Sequence, residues 1–291
     1  YNTDSNKMEV YIGSTWMEVS VSSPNLGDTQ SPAGARGLFT GGSVPSKVNT
    51  VDYVTISSAG DALDFGDLAT EVRGHGAVAS RTRGLNGGGQ PGSGGAINTI
   101  EFITIASLGN AQDFGDLTLA RNYLAAVNNA TRGLFCGAWG APSSRSNIID
   151  YVTMTSTGNA VDFGDLTEAQ QTDGSFSSPT RGFWVGGATG SGPDYQASTT
   201  GTQIECVTTT TLGNAFDFGD LTYTAQQMSG AGNQTRGIYT NGYAYPLAPS
   251  SDALDMTYDM IEFMSSGNLT EFGDIIANAS CRSVATVETV S

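Results

Sequence analysis

The chain holds one histidine, His75, and three cysteines, Cys136, Cys206 and Cys281, in 291 residues. One histidine is too few for a His-based metal centre, and no Ser-His-Asp set can be assembled around it. His75 reads instead as a strand residue that packs or lines an inner channel. The cysteines stand at unrelated positions and form neither a disulfide framework nor a metal pattern. They are expected as small apolar residues in or near strands. Cations are scarce as well. Twelve Lys and Arg against 28 Asp and Glu leave a net charge of −16, which would repel nucleic-acid phosphates. No run of 18 or more apolar residues is present, so membrane insertion is not expected. There is no heptad segment from which to derive a coiled coil. No signal peptide is visible, and a start at Tyr1 rather than Met reads as a processed or partial product.

Glycine, by contrast, is abundant at 39 residues, and it is ordered by a repeat. Five times an Arg-Gly opener leads through an alternating apolar stretch and a Gly-Asn or Gly-Asp turn to an acidic Phe-Gly-Asp motif. The openers are Arg36, Arg83, Arg132, Arg181 and Arg236; the aromatics are Phe65, Phe114, Phe163, Phe218 and Phe272. Copies lie 47 to 55 residues apart. Units of this length, rich in short strands, point to propeller blades of four strands each. Alternation with period two, as in Val51-Asp52-Tyr53-Val54-Thr55-Ile56, supports strands rather than helices. The fold expected is therefore all-β: a five-bladed β-propeller over 36–291, preceded by a short N-terminal hairpin and linker over 1–35.

Spacing locates the variation. From each Phe to the next Arg the distance is 18 residues, and from each turn Gly (60, 109, 158, 213, 267) to its Phe it is 5. Between Arg and turn Gly it runs 24, 26, 26, 32 and 31. Blade three shows the strands: near 123–128, then 133–137, 148–155 and 160–166, with Gly158-Asn159 as the turn between the last two. All length variation then falls in the loop joining strands two and three. In an up-and-down blade that loop shares a face with the connection to the next blade, so one face carries the variation, and binding is expected there. Blade one starts at strand two. The C-terminal stretch 283–288 is in register with strand one elsewhere and is expected to complete blade one, closing the ring and removing an exposed edge.

Fifteen acidic residues recur with the blade: Asp64, Asp113, Asp162, Asp217 and Glu271 before Phe-Gly; Asp67, Asp116, Asp165, Asp220 and Asp274 after it; and Asp52, Glu101, Asp150, Glu205 and Glu262 on strand three. Charge that repeats with the scaffold is read as architectural. Five Arg openers and five Asp residues after Phe-Gly, in fixed register, suggest inter-blade ion pairs. Calcium is the sharper alternative, but Asp-x-x-Asp lacks the twelve-residue ligand loop. No metal or cofactor is expected. The Gly87-Gly88-Gly89-Gln90-Pro91-Gly92 run opens no helix and reads as a loop, not a phosphate cradle. Five copies of one carboxylate pair argue for scaffold, where a glycosidase needs one special pair. The expectation is a non-enzyme.

The blade order Arg-Gly-Leu-Phe-x-Gly, alternating strand, aromatic before a turn, resembles a kelch-type blade with Phe where kelch repeats carry Trp. More specifically, Thr131-Arg132-Gly133-Leu134-Phe135-Cys136-Gly137, Ile149-Asp150-Tyr151-Val152-Thr153 and Gly158-Asn159-Ala160-Val161-Asp162-Phe163-Gly164-Asp165-Leu166-Thr167 resemble repeats in virion proteins of marine tailed phages that infect cyanobacteria. This resemblance covers residues 36–280. Residues 1–20, alternating on each side of Gly13-Ser14 with Trp16 available to cover one face, are similar to a hairpin module of phage fibre and appendage proteins. A lone hairpin is marginal in water and is expected to rest on the propeller or a neighbouring subunit.

These resemblances imply a virion structural protein at the virion surface, on a tail fibre or the capsid exterior, outside the cell. Its partners would be other virion subunits and a host cell-surface glycan, within a homo-oligomeric or larger assembly. Loop aromatics are the candidate glycan platforms: Trp139 in blade three, Tyr195 with Asp194 in blade four, and Tyr243 and Tyr245 in blade five. The competing expectations are a purely structural decoration protein and a secreted glycan-binding or carbohydrate-active propeller.

Overall fold

Five antiparallel sheets stand in a ring as a five-bladed β-propeller, with no helix among the described residues. The structure is a computed structural model and describes residues 9–12, 15–18, 36–43, 45–56, 59–140, 144–171, 174–189, 202–221, 225–226, 229–240, 243–244, 257–265, 267–268 and 270–274. Blade three runs Ala125–Asn128, Arg132–Cys136, Ser144–Thr153 and Val161–Gln171, each strand paired with the next. Blade two (Gly76–Ala79 to Gln112–Asp116), blade four (Gly174–Ser177 to Phe216–Asp220) and blade five (Ser229–Gly232 to Thr270–Asp274) repeat this order. Among the described residues blade one shows three strands, Arg36–Ser43, Lys47–Thr55 and Leu63–Asp67, equivalent to strands two to four of the other blades. The stretch 283–288 lies outside the described residues. At the N-terminus Glu9–Ile12 pairs with Thr15–Glu18, setting Tyr11 opposite Trp16.

Each Phe-Gly-Asp motif is a bulge. In blade one Val51 pairs with Gly66 and Asp52 with Asp64, so Phe65 is the extra residue of the outer strand. The same slip occurs between Ile100 and Glu101, Ile149 and Asp150, Ile204 and Glu205, and Tyr258 and Asp259. A bulge re-aims one side chain, and here it turns the ring inward. Phe65, Phe114, Phe163 and Phe218 are all buried. The register also corrects the assignment of the fifth strand-three acid. Asp259, not Glu262, occupies the place held by Asp52, Glu101, Asp150 and Glu205.

The core is a set of layers between successive blades. One layer joins Phe65, Val51 and Leu68 to Ile103 of blade two, and another joins Phe114 and Phe102 to Val152 and Met154 of blade three. Tyr53, Phe102 and Tyr151 meet the bulged Phe of their own blade edge to face at 5.8, 6.1 and 5.9 Å. Blade four has Cys206 at that position, and Phe183 of strand two supplies the edge contact to Phe218 at 5.1 Å instead.

Backbone clasps bind the outer strands. The Phe carbonyl of one blade accepts from the turn Gly of the next: Gly109 to Phe65 (2.9 Å), Gly158 to Phe114 (2.7 Å), Gly213 to Phe163 (3.0 Å) and Gly267 to Phe218 (2.9 Å). The amides of Asp67, Asp116, Asp165 and Asp220 donate to the side-chain oxygens of Asn110, Asn159, Asn214 and Asn268. Ala111, Ala160 and Ala215 donate back to the carbonyls of Asp67, Asp116 and Asp165 at 2.8 Å. Only glycine allows this approach. A Cβ on Gly115, at φ 147°, would stand 2.4 Å from the Gly158 carbonyl oxygen.

The Arg-Gly openers face both neighbours. Arg36, Arg83, Arg132 and Arg181 donate to the carbonyls of Ile105, Met154, Thr209 and Phe263 at the end of strand three in the following blade. The guanidinium groups of Arg36, Arg83 and Arg132 also lie over Tyr53, Phe102 and Tyr151 at 4.9, 4.6 and 5.1 Å. The expected pairing with Asp67, Asp116, Asp165 and Asp220 is not what these arginines make; no such pair lies within ion-pair distance among the described residues. The carboxylates sit on the outer strand, while the openers lean toward the next blade's strand end. The following Gly makes room on the other side, since a Cβ at Gly133 or Gly182 would strike Val78 or Val127 of the preceding blade.

Replacing Asn159 by Ala removes one clasp acceptor and is expected to cost about 1 kcal/mol. For a domain of this size that is a fall in Tm of about 2–4 °C. An unchanged thermal melt would show that the side-chain acceptor adds nothing to the clasp.

Candidate functional site

The face carrying the strand two to strand three loops is built from a two-residue step. Strand two ends at Gly41-Gly42, Gly88-Gly89, Gly137-Ala138 and Gly186-Gly187, with φ of 60° and 120°, 66° and 110°, 61° and 121°, and 56° and 120°. Ala138 alone takes the second conformation with a side chain, a strain of about 1–3 kcal/mol that its surroundings must hold. The step throws the chain sideways onto the connector arriving from the preceding blade. There Gln90–Pro91 pairs with Val72–Arg73, Trp139–Gly140 with Arg121–Asn122, Ala188–Thr189 with Gln170 and Gln171, and Tyr243–Ala244 with Ala225–Gln226. Each variable loop of blades two to five is therefore rooted in an inter-blade ladder.

Two of the candidate aromatics fall on these roots. Trp139 and Tyr243 take equivalent first positions of the short strand in blades three and five, so blade four stands between them. Trp139 faces Arg145 across a hairpin ladder, and the Arg145 guanidinium lies 5.5 Å from the indole centroid. Asp194, Tyr195 and Tyr245 lie outside the described residues. The structure thus gives two separate rooted aromatics, not one cluster.

Beneath this face run the strand-three acids, whose role the sequence pattern left open. Glu101, Asp150 and Glu205 receive the connector leaving the preceding blade, and Asp259 a side chain of its own strand two. Glu101 accepts from the Ala69 amide at 3.1 Å; Asp150 accepts from the Thr118 amide and hydroxyl at 3.2 and 2.6 Å. Glu205 accepts from both groups of Thr167 and from Gln170 at 2.5 Å, and Asp259 accepts from the Tyr239 hydroxyl at 2.8 Å. Burial raises the carboxyl pKa of Glu101 and Glu205 above the ordinary value, with the hydrogen bonds to Ala69 and Thr167 opposing the rise.

Asp150 faces an arginine. Arg121, fully buried, reaches Asp150 at 2.6 Å and donates to the carbonyls of Gly137 and Ile148 at 3.0 and 2.7 Å. Val72, Gln170 and Ala225 occupy the same position, seven residues after the Phe, in other blades. That contrast was the available signal, visible only once the blades are aligned on their Phe residues. Loss of solvent lowers the Arg121 pKa, and the Asp150 carboxylate opposes that shift.

His75 is partly buried on the inner side of blade two. Its Nε2 lies 2.9 Å from the Thr40 hydroxyl, which donates onward to Asn86 at 2.7 Å, and its Nδ1 is sealed without a partner. Loss of solvent lowers its pKa to about 4. Cys136 and Cys206 are buried thiols outside any disulfide, and burial raises the pKa of both, Cys206 to about 12. Cys281 lies outside the described residues. No group of three His, Cys, Asp or Glu side chains is placed to hold a metal among the described residues.

Asp150→Ala leaves the Arg121 charge buried and unpaired and is expected to cost about 3–5 kcal/mol, read by chemical denaturation. The double change Arg121→Met with Asp150→Leu should recover most of that loss; equal loss in both variants would contradict a charge-pair cost. His75 gives a pH signature. Its folded pKa lies below the unfolded 6.5, so stability present above pH 6.5 is lost as pH falls toward 4. His75→Gln should flatten that part of the stability profile, and identical profiles would show that the imidazole protonates freely in the fold.

No protein-family model matches the chain, and no curated protein matches it significantly.

Proposed function

We propose that this chain is a non-enzymatic virion structural protein of a tailed phage, a propeller that displays its variable face for attachment to a host surface. One observation carries the reading: the variable loops of blades two to five leave from inter-blade ladders on one face. The outer strands of blades one to four, by contrast, are committed to clasps. Fixed roots with free tips suit recognition, because the scaffold tolerates tip changes. The resemblance of residues 36–280 to cyanophage virion repeats and of residues 1–20 to a fibre hairpin supplies the virion context. The ligand is a cell-surface glycan, for which Trp139 and Tyr243, at equivalent loop roots, serve as stacking platforms. The raised pKa values of Glu101 and Glu205 do not point to a catalytic pair, since both carboxylates are occupied by connector groups.

A structural decoration role is favoured by a different observation. Leu63, Val161 and Phe216 keep 58, 54 and 44 % of their surface exposed on the outer strands, at equivalent positions two residues before the Phe. Such residues suit burial against a neighbouring subunit.

The test is binding of the purified protein to cyanobacterial cells and to their isolated surface glycan. Trp139→Ala with Tyr243→Ala is expected to reduce binding at least tenfold with the thermal melt little changed. Undiminished binding by the folded double variant removes these residues as the platform, and absence of binding by the parent protein removes the attachment reading.

A further inference from the structure

Four blade junctions share one set of contacts, and the fifth, between blades five and one, departs from it in every describable part. Phe272 keeps 59 % of its surface, whereas Phe65, Phe114, Phe163 and Phe218 keep 2–3 %. Phe39 keeps 48 %, whereas its counterparts Asn86, Phe135, Trp184 and Tyr239 keep 0–6 %. Asp52 is exposed where Asp150, Glu205 and Asp259 are buried. Arg236 does not reach across to a following strand end. It turns back to Glu262 of its own blade at 3.2 Å, both side chains about half exposed. The carbonyl that would receive it by the rule of the other openers is that of Ile56, nine residues before Phe65, whose side chain is 47 % exposed.

The components of a fifth clasp are nevertheless present. Blade five offers the bulged Phe272-Gly273-Asp274 backbone, in the same register against strand three as the other four. Blade one offers Gly60-Asp61-Ala62, five residues before Phe65, with Asp61 where the other turns carry Asn. A carboxylate oxygen accepts from an amide as the Asn oxygen does, and more strongly when ionised. We propose that the junction between blades five and one is a latch. Seating places the Gly60-Asp61-Ala62 turn on Phe272-Gly273-Asp274 and transfers Arg236 from Glu262 to the Ile56 carbonyl. Asp61 accepts from the Asp274 amide, and the apolar surfaces of Phe272, Phe39 and Ile56 are covered together. The occupant is fixed by complementarity. This turn has the Gly spacing that the other clasps require, and the four other turns with that spacing are already engaged. Glu262 is the competitor that holds Arg236 when the latch is open, so the acid that does not follow the repeat acquires a role.

Hydrogen exchange on the full 291-residue chain tests this. With the latch in use, the amides of Gly60, Ala62 and Asp274 exchange more slowly than exposed amides but faster than Gly158, Ala160 and Asp116 of a closed clasp. Gly273→Val puts a side chain where a Cβ on Gly66, Gly115, Gly164 or Gly219 would come within 2.1–2.6 Å of the next turn. It should abolish protection at Gly60 and Ala62 and leave Gly158 and Ala160 unchanged. Glu262→Gln frees Arg236 and should increase protection at Gly60 at least threefold. The proposal is overturned if Gly60 and Ala62 exchange as freely in the parent as in Gly273→Val. It is equally overturned if Glu262→Gln lowers or leaves unchanged their protection, or if protection appears only as sedimentation shows dimer forming, which would make a second copy the occupant.

Discussion

The structure depends on the edges of the outer strands of blades one to four being satisfied by the next blade. An unpaired strand edge is a template for association with another chain. Here the bulge at Phe-Gly-Asp breaks the regular ladder, and the neighbouring Gly-Asn turn takes up the freed backbone groups through two or three hydrogen bonds per junction. The same bulge drives the Phe into the layer between blades. One local irregularity thus covers an edge and fills a core, which accounts for the fixed five-residue spacing from turn to Phe.

Charge is used to hold connectors. Glu101, Asp150 and Glu205 take the amides and hydroxyls of the segment that crosses between blades, and the first four opener arginines take strand-end carbonyls. Both choices satisfy backbone groups that no strand ladder reaches, and the desolvation of the acids is visible in the raised Glu101 and Glu205 pKa values. Where an acid meets an arginine, as Asp150 meets Arg121, the pair is also anchored to two carbonyls and two Thr118 groups, the condition under which a buried ion pair is tolerated.

The all-β ring, the number of blades and the face bearing variation were legible because they rest on period and spacing, which survive substitution. Blade three was readable nearly strand by strand, although Val161–Gln171 runs on into the connector because Gln170 and Gln171 pair with the next loop root. What failed were partner assignments. Arg and Asp in register suggested each other, yet a guanidinium is satisfied equally by a carbonyl, and sequence does not record carbonyls. Glu262 passed for a repeat position because acids are dense on strand three; counting 13 residues back from Phe272 gives Asp259. Trp139 was legible as a loop aromatic, but the Arg145 guanidinium over its ring required the hairpin register.

With four outer edges clasped and the layers at those junctions filled, the loops of one face remain the part free to change, and this links the architecture to the attachment reading. Localising the polypeptide on purified phage particles by cryo-EM tests that link most directly. The account predicts propeller density at a fibre tip or on the capsid exterior, with the face bearing loops after Gly88-Gly89 and Gly137-Ala138 turned to solvent. Absence of the chain from particles, or that face buried against the virion, would contradict it.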